Sequence, residues 1–217
     1  MSLTLVIANK AYSSWSFRPW ILMRHFGIVF DEIVIPMAQE DTRAEMLRYS
    51  PAGKCPALHD GAITVWDSLA IIEYLAEICP DKPLWPKPRA ARARARSLAA
   101  EMHSGFTGLR GLLPMNMRRA VKKLPLTPEA SADVVRIEQA FKQSRTEFGQ
   151  AGGFLFGDFS ATDAMFAPVV NRLHVYDVAV TPATRAYMDA MKALPAWQEW
   201  RAQAEAEPWT IGKYEVA

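Results

Sequence analysis

A chain of 217 residues, half of them hydrophobic and 22% charged, has the composition of a packed fold rather than a disordered one. Its net charge of +2 argues against a dedicated nucleic-acid binder. No apolar run approaches the ~20 residues that cross a bilayer. The N-terminal residues lack the basic stretch and cleavage site of a secretory leader. Two cysteines, Cys55 and Cys79, make neither a disulfide framework nor a metal site, and the four histidines show no i, i+4 pair, so a metal-free protein of the reducing cytoplasm is expected.

Leu3 to Ala8 reads as a buried strand, and the stretch from about Ser14 to Phe26 as a helix stopped by Gly27. Between them stands "YSSWSFRPW", residues 12–20, which sets two adjacent hydroxyls at a strand-to-helix junction. Val29 to Ile35 is a second strand ended by Pro36, and Glu40 to Tyr49 a short helix. Ala57–His59 and Ala62–Trp66 flank Asp60-Gly61, a two-residue hairpin signal. Asp67 and Ser68 start a helix with Leu69, Ile71, Ile72 and Leu75 on its apolar positions. The order βαβα then ββα predicts an α/β domain with a small mixed sheet.

Prolines 80, 83, 86 and 88 mark a linker, so the expected division is domain 1–79, linker 80–88 and an all-helical domain 89–217. Arg89, Arg92, Arg94 and Arg96 open that half as a solvated helix start. One long helical pattern runs from Ala90 to about Arg119, with Gly105, Gly108 and Gly111 as a bare stripe for close helix packing or for the approach of a ligand, and Pro114 as the expected break. Thr127-Pro128-Glu129 starts the next helix, with Val134, Ile137, Phe141 and Phe148 on its buried face. Ser160, Thr181-Pro182 and Leu194-Pro195 start three more, and the tail from Glu207 is irregular. Ser160 and Asp163 have the spacing of a reciprocal helix cap.

Three features carry possible chemistry. Ser13 and Ser14 read as helix caps, or as a hydroxyl beside a thiolate at a helix N-terminus, where negative charge is stabilised. Pro56 opens a strand and leaves Cys55 before it, outside the ladder. Asp67 and Ser68 read as a cap or as a helix start that binds a carboxylate.

In this order, "YSSWSFRPW", "SPAGKCPALHDG", "DSLAIIEYL", the proline-rich linker, the helical second half and "FSATDAMFAPVV" resemble a cytosolic glutathione S-transferase over nearly the whole chain. The tandem serines are most similar to the zeta-like, maleylacetoacetate isomerase-like bacterial members, although Trp15 stands where that class has a cysteine. The resemblance implies a thioredoxin-like N-terminal domain binding glutathione as co-substrate and a helical domain forming the electrophile pocket. It also implies a homodimer, without metal, nucleic-acid or membrane partners. Ser14, or else Ser13, would face the thiol as the catalytic hydroxyl. Pro56 would be the family's cis-proline, Cys55 would pair through its backbone with the cysteinyl unit, and Asp67 and Ser68 would hold the γ-glutamyl end. Lys54 would meet the glycyl carboxylate, or remain a solvated lysine. Trp15, Met102, His103, Phe106 and Arg110 would line the electrophile pocket. The activity implied is thiolate transfer to a small electrophile. The alternatives are a cis-trans isomerase, using cations such as Arg110, Arg118 or Arg119, and a non-catalytic glutathione binder.

Overall fold

The computed structural model describes residues 2–149 and 152–216, so the end residues of the spans 1–79 and 89–217 lie outside it. Strand β1 (Leu3–Ala8) pairs in parallel with β2 (Phe30–Ile35), from Leu3 on Phe30 to Ala8 on Ile35. Helix α1 (Ser14–His25) makes the crossover that a parallel pair requires. After α2 (Thr42–Tyr49), β3 (Ala57–Asp60) lies antiparallel to β1, and β4 (Ile63–Val65) antiparallel to β3. The sheet order β2-β1-β3-β4 makes β1 central, and its residues from Leu5 to Ala8 are all buried. Asp60 pairs with Ile63, so the hairpin residues are Gly61 and Ala62, one step later than the sequence signal; Gly61 supplies the positive φ of 58° that the turn demands. Helix α3 (Ser68–Ile78) closes a thioredoxin-like domain of mixed four-stranded sheet and helices.

Residues 79–88 carry neither helix nor strand, and helix α4 (Arg89–Ser104) follows. Its arginines point to solvent partners: Arg96 pairs with Glu73 at 3.1 Å and Arg94 with Glu147 at 3.9 Å. The long helix expected to run to Arg119 stops early. Gly105 and Phe106 break it, Phe106 taking a left-handed φ of 55°, and α5 (Thr107–Leu112) begins a new direction before Pro114 is reached. The three glycines therefore form no single stripe. A side chain at Gly108 would meet Glu129 at 2.9 Å, so close packing governs there, whereas Gly111 faces open space.

Helix α6 (Pro128–Phe148) is capped by Thr127 and buries Val134, Ile137 and Phe141, leaving Phe148 half-buried against Phe156. Helix α7 (Ala161–Val175) is the axis of the second domain, with all but one of its residues buried. It packs on α1 and α4, so one element ties both domains together. Helices α8 (Pro182–Lys192) and α9 (Pro195–Ala206) complete the bundle, and Trp200 of α9 stacks on Phe17 of α1 at 4.8 Å.

Candidate active site

Two adjoining cavities meet at Trp15, Lys54 and Cys55. The larger, about 530 Å³, runs from Ser13 and Ser14 at the start of α1 to Arg110 on α5 and Arg172 on α7. The smaller, about 300 Å³, lies over Pro56 and Asp67 and includes Trp66 and His103. A groove of about 770 Å³ between α6 and α8 holds none of the candidate residues.

The tandem serines divide their work. Ser13 is the N-cap of α1: its Oγ accepts from the Ser16 N–H at 3.3 Å and donates to Ser16 Oγ at 2.8 Å. Ser16 Oγ in turn accepts from the Ala8 N–H at 3.0 Å, which fastens the helix start to the end of β1. The Ser14 hydroxyl makes no hydrogen bond among the described residues and lies on the wall of the larger cavity. It stands at the first position of a helix whose first turn holds no acidic residue, so the positive end of the helix is uncompensated.

Cys55 lines both cavities, and the ladder begins only with Ala57 opposite Val6. The Cys55–Pro56 peptide bond is cis, as is Trp66–Asp67. Burial pushes the Cys55 thiol up to about 12, which makes it a poor nucleophile. Asp67 caps α3, taking the Leu69 N–H at 3.0 Å, and its other oxygen meets His103 Nε2 at 2.5 Å. Ser68 is fully buried, and its hydroxyl has no partner among the described residues. Ser68 lines neither cavity, so of the pair only Asp67 faces the smaller one. Lys54 is exposed on the shared rim, with no ion pair among the described residues.

Trp15 forms the partition between the cavities. The Arg18 guanidinium lies 4.0 Å from its ring centroid and that of Arg110 4.9 Å, while His103 meets it edge-on at 5.2 Å. Of the other pocket candidates, Arg110 reaches the larger cavity and His103 the smaller. Met102 and Phe106 line neither. Met102 is wholly buried in the core, and the left-handed turn at Phe106 sends its ring toward Phe166 at 6.2 Å.

The arrangement also contains residues that sequence reasoning passed over. Arg172 is buried, donates to the Leu113 carbonyl at 2.7 Å and lines the larger cavity. Arg18 is fully buried, with Nε and Nη1 unpartnered. None of Arg18, Arg110 and Arg172 pairs with a carboxylate among the described residues. Burial and then the neighbouring guanidinium of Arg110 lower Arg172 to about 10; burial, then Arg172 and Arg110, lower Arg18, with Asp67 pulling the other way. Arg110 and Arg172, two cations on the cavity wall that repel one another with no paired carboxylate among the described residues, suit a bound anion. Arg118 and Arg119 lie elsewhere: Arg118 donates to the carbonyls of Glu207 and Trp209, and Arg119 to those of Val175 and Lys122.

Comparison with known proteins points to one family and one fold. The glutathione S-transferase N-terminal domain pattern matches residues 12–78, and the C-terminal domain pattern of the same family matches residues 127–203. A maleylacetoacetate isomerase of Rattus norvegicus is 28% identical over 199 residues, 89% of this chain and 90% of that one. A probable maleylacetoacetate isomerase of Caenorhabditis elegans is 33% identical over 100 residues, 46% of this chain and 47% of that one. A glutathione transferase homologue from Burkholderia, crystallised with bound glutathione, superposes with a TM-score of 0.74 at 22% identity, covering 95% of this chain and 100% of that one. Among the described residues no group of three or more His, Cys, Asp or Glu could hold a metal ion, and no helix is long and apolar enough to cross a membrane.

Proposed function

The chain belongs to the glutathione S-transferase family, and on that premise we propose that it activates the thiol of glutathione for attack on a small electrophile. The observation that carries this reading is the spare Ser14 hydroxyl at the N-terminus of α1, facing the cavity while Ser13 is spent on the cap. A free thiol of pKa ~8.5 is only about 3% ionised at neutral pH. A hydroxyl donor and the helix end both favour the thiolate, and lowering the pKa by ~2 would ionise most of it. In this reading Ser68 and Asp67 hold the γ-glutamyl end, Cys55 pairs through its backbone with Pro56 setting the turn, and Lys54 meets the glycyl carboxylate. The meeting of Lys54, Cys55, Pro56 and Asp67 on one cavity supports that placement.

Residues 1–79 then bind glutathione, 80–88 connect, and 89–217 complete the electrophile pocket. Two free cysteines suit the reducing cytoplasm. Exposed Ile63, Trp66 and Ile78 on one domain suit a homodimer, which light scattering at micromolar concentration tests.

A second reading, glutathione-dependent cis-trans isomerisation of a small dicarboxylic acid, is favoured by the unpaired Arg110 and Arg172 on the cavity wall. There the thiolate adds to the double bond, the new single bond rotates, and the thiolate leaves again. A third reading, a non-catalytic glutathione binder, requires that the bound thiol keep its ordinary acidity. Ultraviolet titration of bound glutathione separates the third from the first two: a thiolate band developing below pH 7.5 supports activation, and one developing only near pH 8.5 sinks it. Turnover of a neutral aryl halide against a cis-unsaturated diacid then separates transferase from isomerase.

A further inference from the structure

Residues 207–216 form a strap across the start of the sheet domain. Beyond α9, the Glu207 carboxylate accepts from the backbone N–H of Lys10 at 2.6 Å and of Ala11 at 3.0 Å, on the loop that leads to Ser13 and Ser14. Arg118 grips the strap backbone, donating to Glu207 O at 2.8 Å and Trp209 O at 2.7 Å, and also reaches the Tyr12 hydroxyl. Ile211 is buried, and Tyr214 stacks on Tyr12 with ring centroids 5.5 Å apart. Glu215 accepts from the Tyr12 hydroxyl at 2.5 Å and from Asn116 Nδ2 at 3.0 Å. A single 3₁₀ turn, Gly212–Tyr214, lies between these anchors, and Lys213, Tyr214 and Val216 line the cavity of about 530 Å³.

We propose that Lys213, Tyr214 and Val216, held in place by the strap, form a specificity-determining wall of that cavity, and that Lys213 selects anionic second substrates over neutral ones of the same shape. Lys213 is exposed, has no carboxylate partner among the described residues, and sits over the Tyr214 ring with its ammonium 5.0 Å from the centroid. The anchors on both sides of it remove the freedom that an irregular terminal segment otherwise keeps. Its charge thus adds to those of Arg110 and Arg172, which line the same cavity. A ligand carboxylate within a Debye length of all three is attracted by their sum, and the Lys213 share is the one most screened by salt. The inference rests on reading this cavity as the pocket for the second substrate.

The test uses a matched pair, 4-chloro-3-nitrobenzoate and 4-chloro-3-nitrobenzamide, bound to the full-length protein without glutathione and followed by calorimetry. Wild type is expected to bind the benzoate more tightly. Lys213→Met should shrink the benzoate-to-benzamide affinity ratio about 2- to 5-fold, the range an exposed ion pair is worth, and Lys213→Glu should shrink it further. Glutathione affinity, measured in parallel, should change less than benzoate affinity, because its carboxylates are placed at Lys54 and Asp67–Ser68 rather than at Lys213. A ratio unchanged in both variants, or a wild type that takes neither probe, overturns the proposal. Because the probes are measured without glutathione, a wild type that binds no glutathione would sink the functional reading while the probe ratio still reports on the strap.

Discussion

Two helix starts in this molecule are capped by serine, and they are finished differently. At α7 the circuit is closed. Ser160 donates its N–H and its hydroxyl to one oxygen of Asp163, each at 2.9 Å, and the Leu155 N–H reaches the other oxygen at 3.1 Å. The start is fully buried, and the acid compensates the positive end of the helix. At α1 the cap is made by Ser13 with Ser16, no acid follows, and the next hydroxyl is left over beside a cavity. A closed circuit spends every polar group on stability. An open one leaves a donor and a partial positive charge for something that arrives later. The N-cap serine serves the scaffold in both helices, and what sets α1 apart is the spare hydroxyl at the position after its cap, the one proposed for the site.

The strongest way to break this contrast is Ser14→Ala. Removing a single donor aimed at a developing or settled anion costs on the order of 10²-fold in turnover. Glutathione affinity should change far less, because the proposal places its peptide ends elsewhere, and the bound-thiol pKa should return toward ~8.5. Unchanged thiol absorbance in the variant would reduce Ser14 to an ordinary first residue of a helix.

Ser68→Ala sharpens the division between holding the peptide and activating the thiol. A hydrogen bond to a charged group is worth about 1.5–3 kcal/mol, so glutathione affinity should fall by roughly 10- to 100-fold. The bound-thiol pKa should stay where it is. Equal affinity of variant and wild type by calorimetry would remove Ser68 from the site and leave its orphaned hydroxyl without a role.

At α7 the expected loss is in stability. Asp163→Ala strands the N–H groups of Leu155 and Ser160 in the core, which should cost about 1–3 kcal/mol while the specific activity of the folded protein is kept. The pH dependence has an unusual sign. Burial raises the Asp163 carboxyl from 3.8 to about 6 against the pull of its hydrogen bonds. The folded state then holds the proton more tightly than the unfolded state, so the contribution of this group to stability grows as pH falls from above 6 toward 4 and is lost as pH rises through that window. The gap between wild type and Asp163→Ala in urea unfolding should therefore be wider at pH 5 than at pH 7. A narrower gap at pH 5 would mean that Asp163 acts as an ion-paired carboxylate.

Much of this was legible in the sequence because it is local. Leu3–Ala8 is read correctly at both ends, since a central strand buried on both faces shows as a continuous apolar run. Caps at Thr127, Ser160 and Thr181 are read because the side chain and its target lie three residues apart. The early break at Gly105–Phe106 was missed because the proline downstream looked like the stronger signal, whereas Gly105 abuts the Glu101 carbonyl and Phe106 turns left-handed to reach the core. The strap was invisible for a different reason. Glu207 meets Lys10 across 197 positions and Glu215 meets Tyr12 across 203, and no periodicity encodes such a pair. Arg172 reads as one more polar residue of a helix until α7 is packed against α1 and the cavity is formed.

The smallest expected effect concerns Ser13, the neighbour of the hydroxyl proposed to face the thiol. Ser13→Ala removes the acceptor for the Ser16 N–H and the donor to Ser16 Oγ, while Ser16 keeps its bond from Ala8. The loss is that of an ordinary N-cap, about 1 kcal/mol in unfolding free energy. Because the Ser13 hydroxyl is turned inward to Ser16, the bound-thiol pKa should move little, and turnover should fall only as far as the loosened start of α1 lets the Ser14 hydroxyl wander. Ser13→Thr keeps both bonds and should restore the stability. The two serines thus predict opposite signatures, stability without chemistry for Ser13 and chemistry without stability for Ser14. If Ser13→Ala raised the bound-thiol pKa as far as Ser14→Ala, the cap and the activator would be one network through both hydroxyls, and the open start of α1 would differ from the closed start of α7 only in lacking its acid.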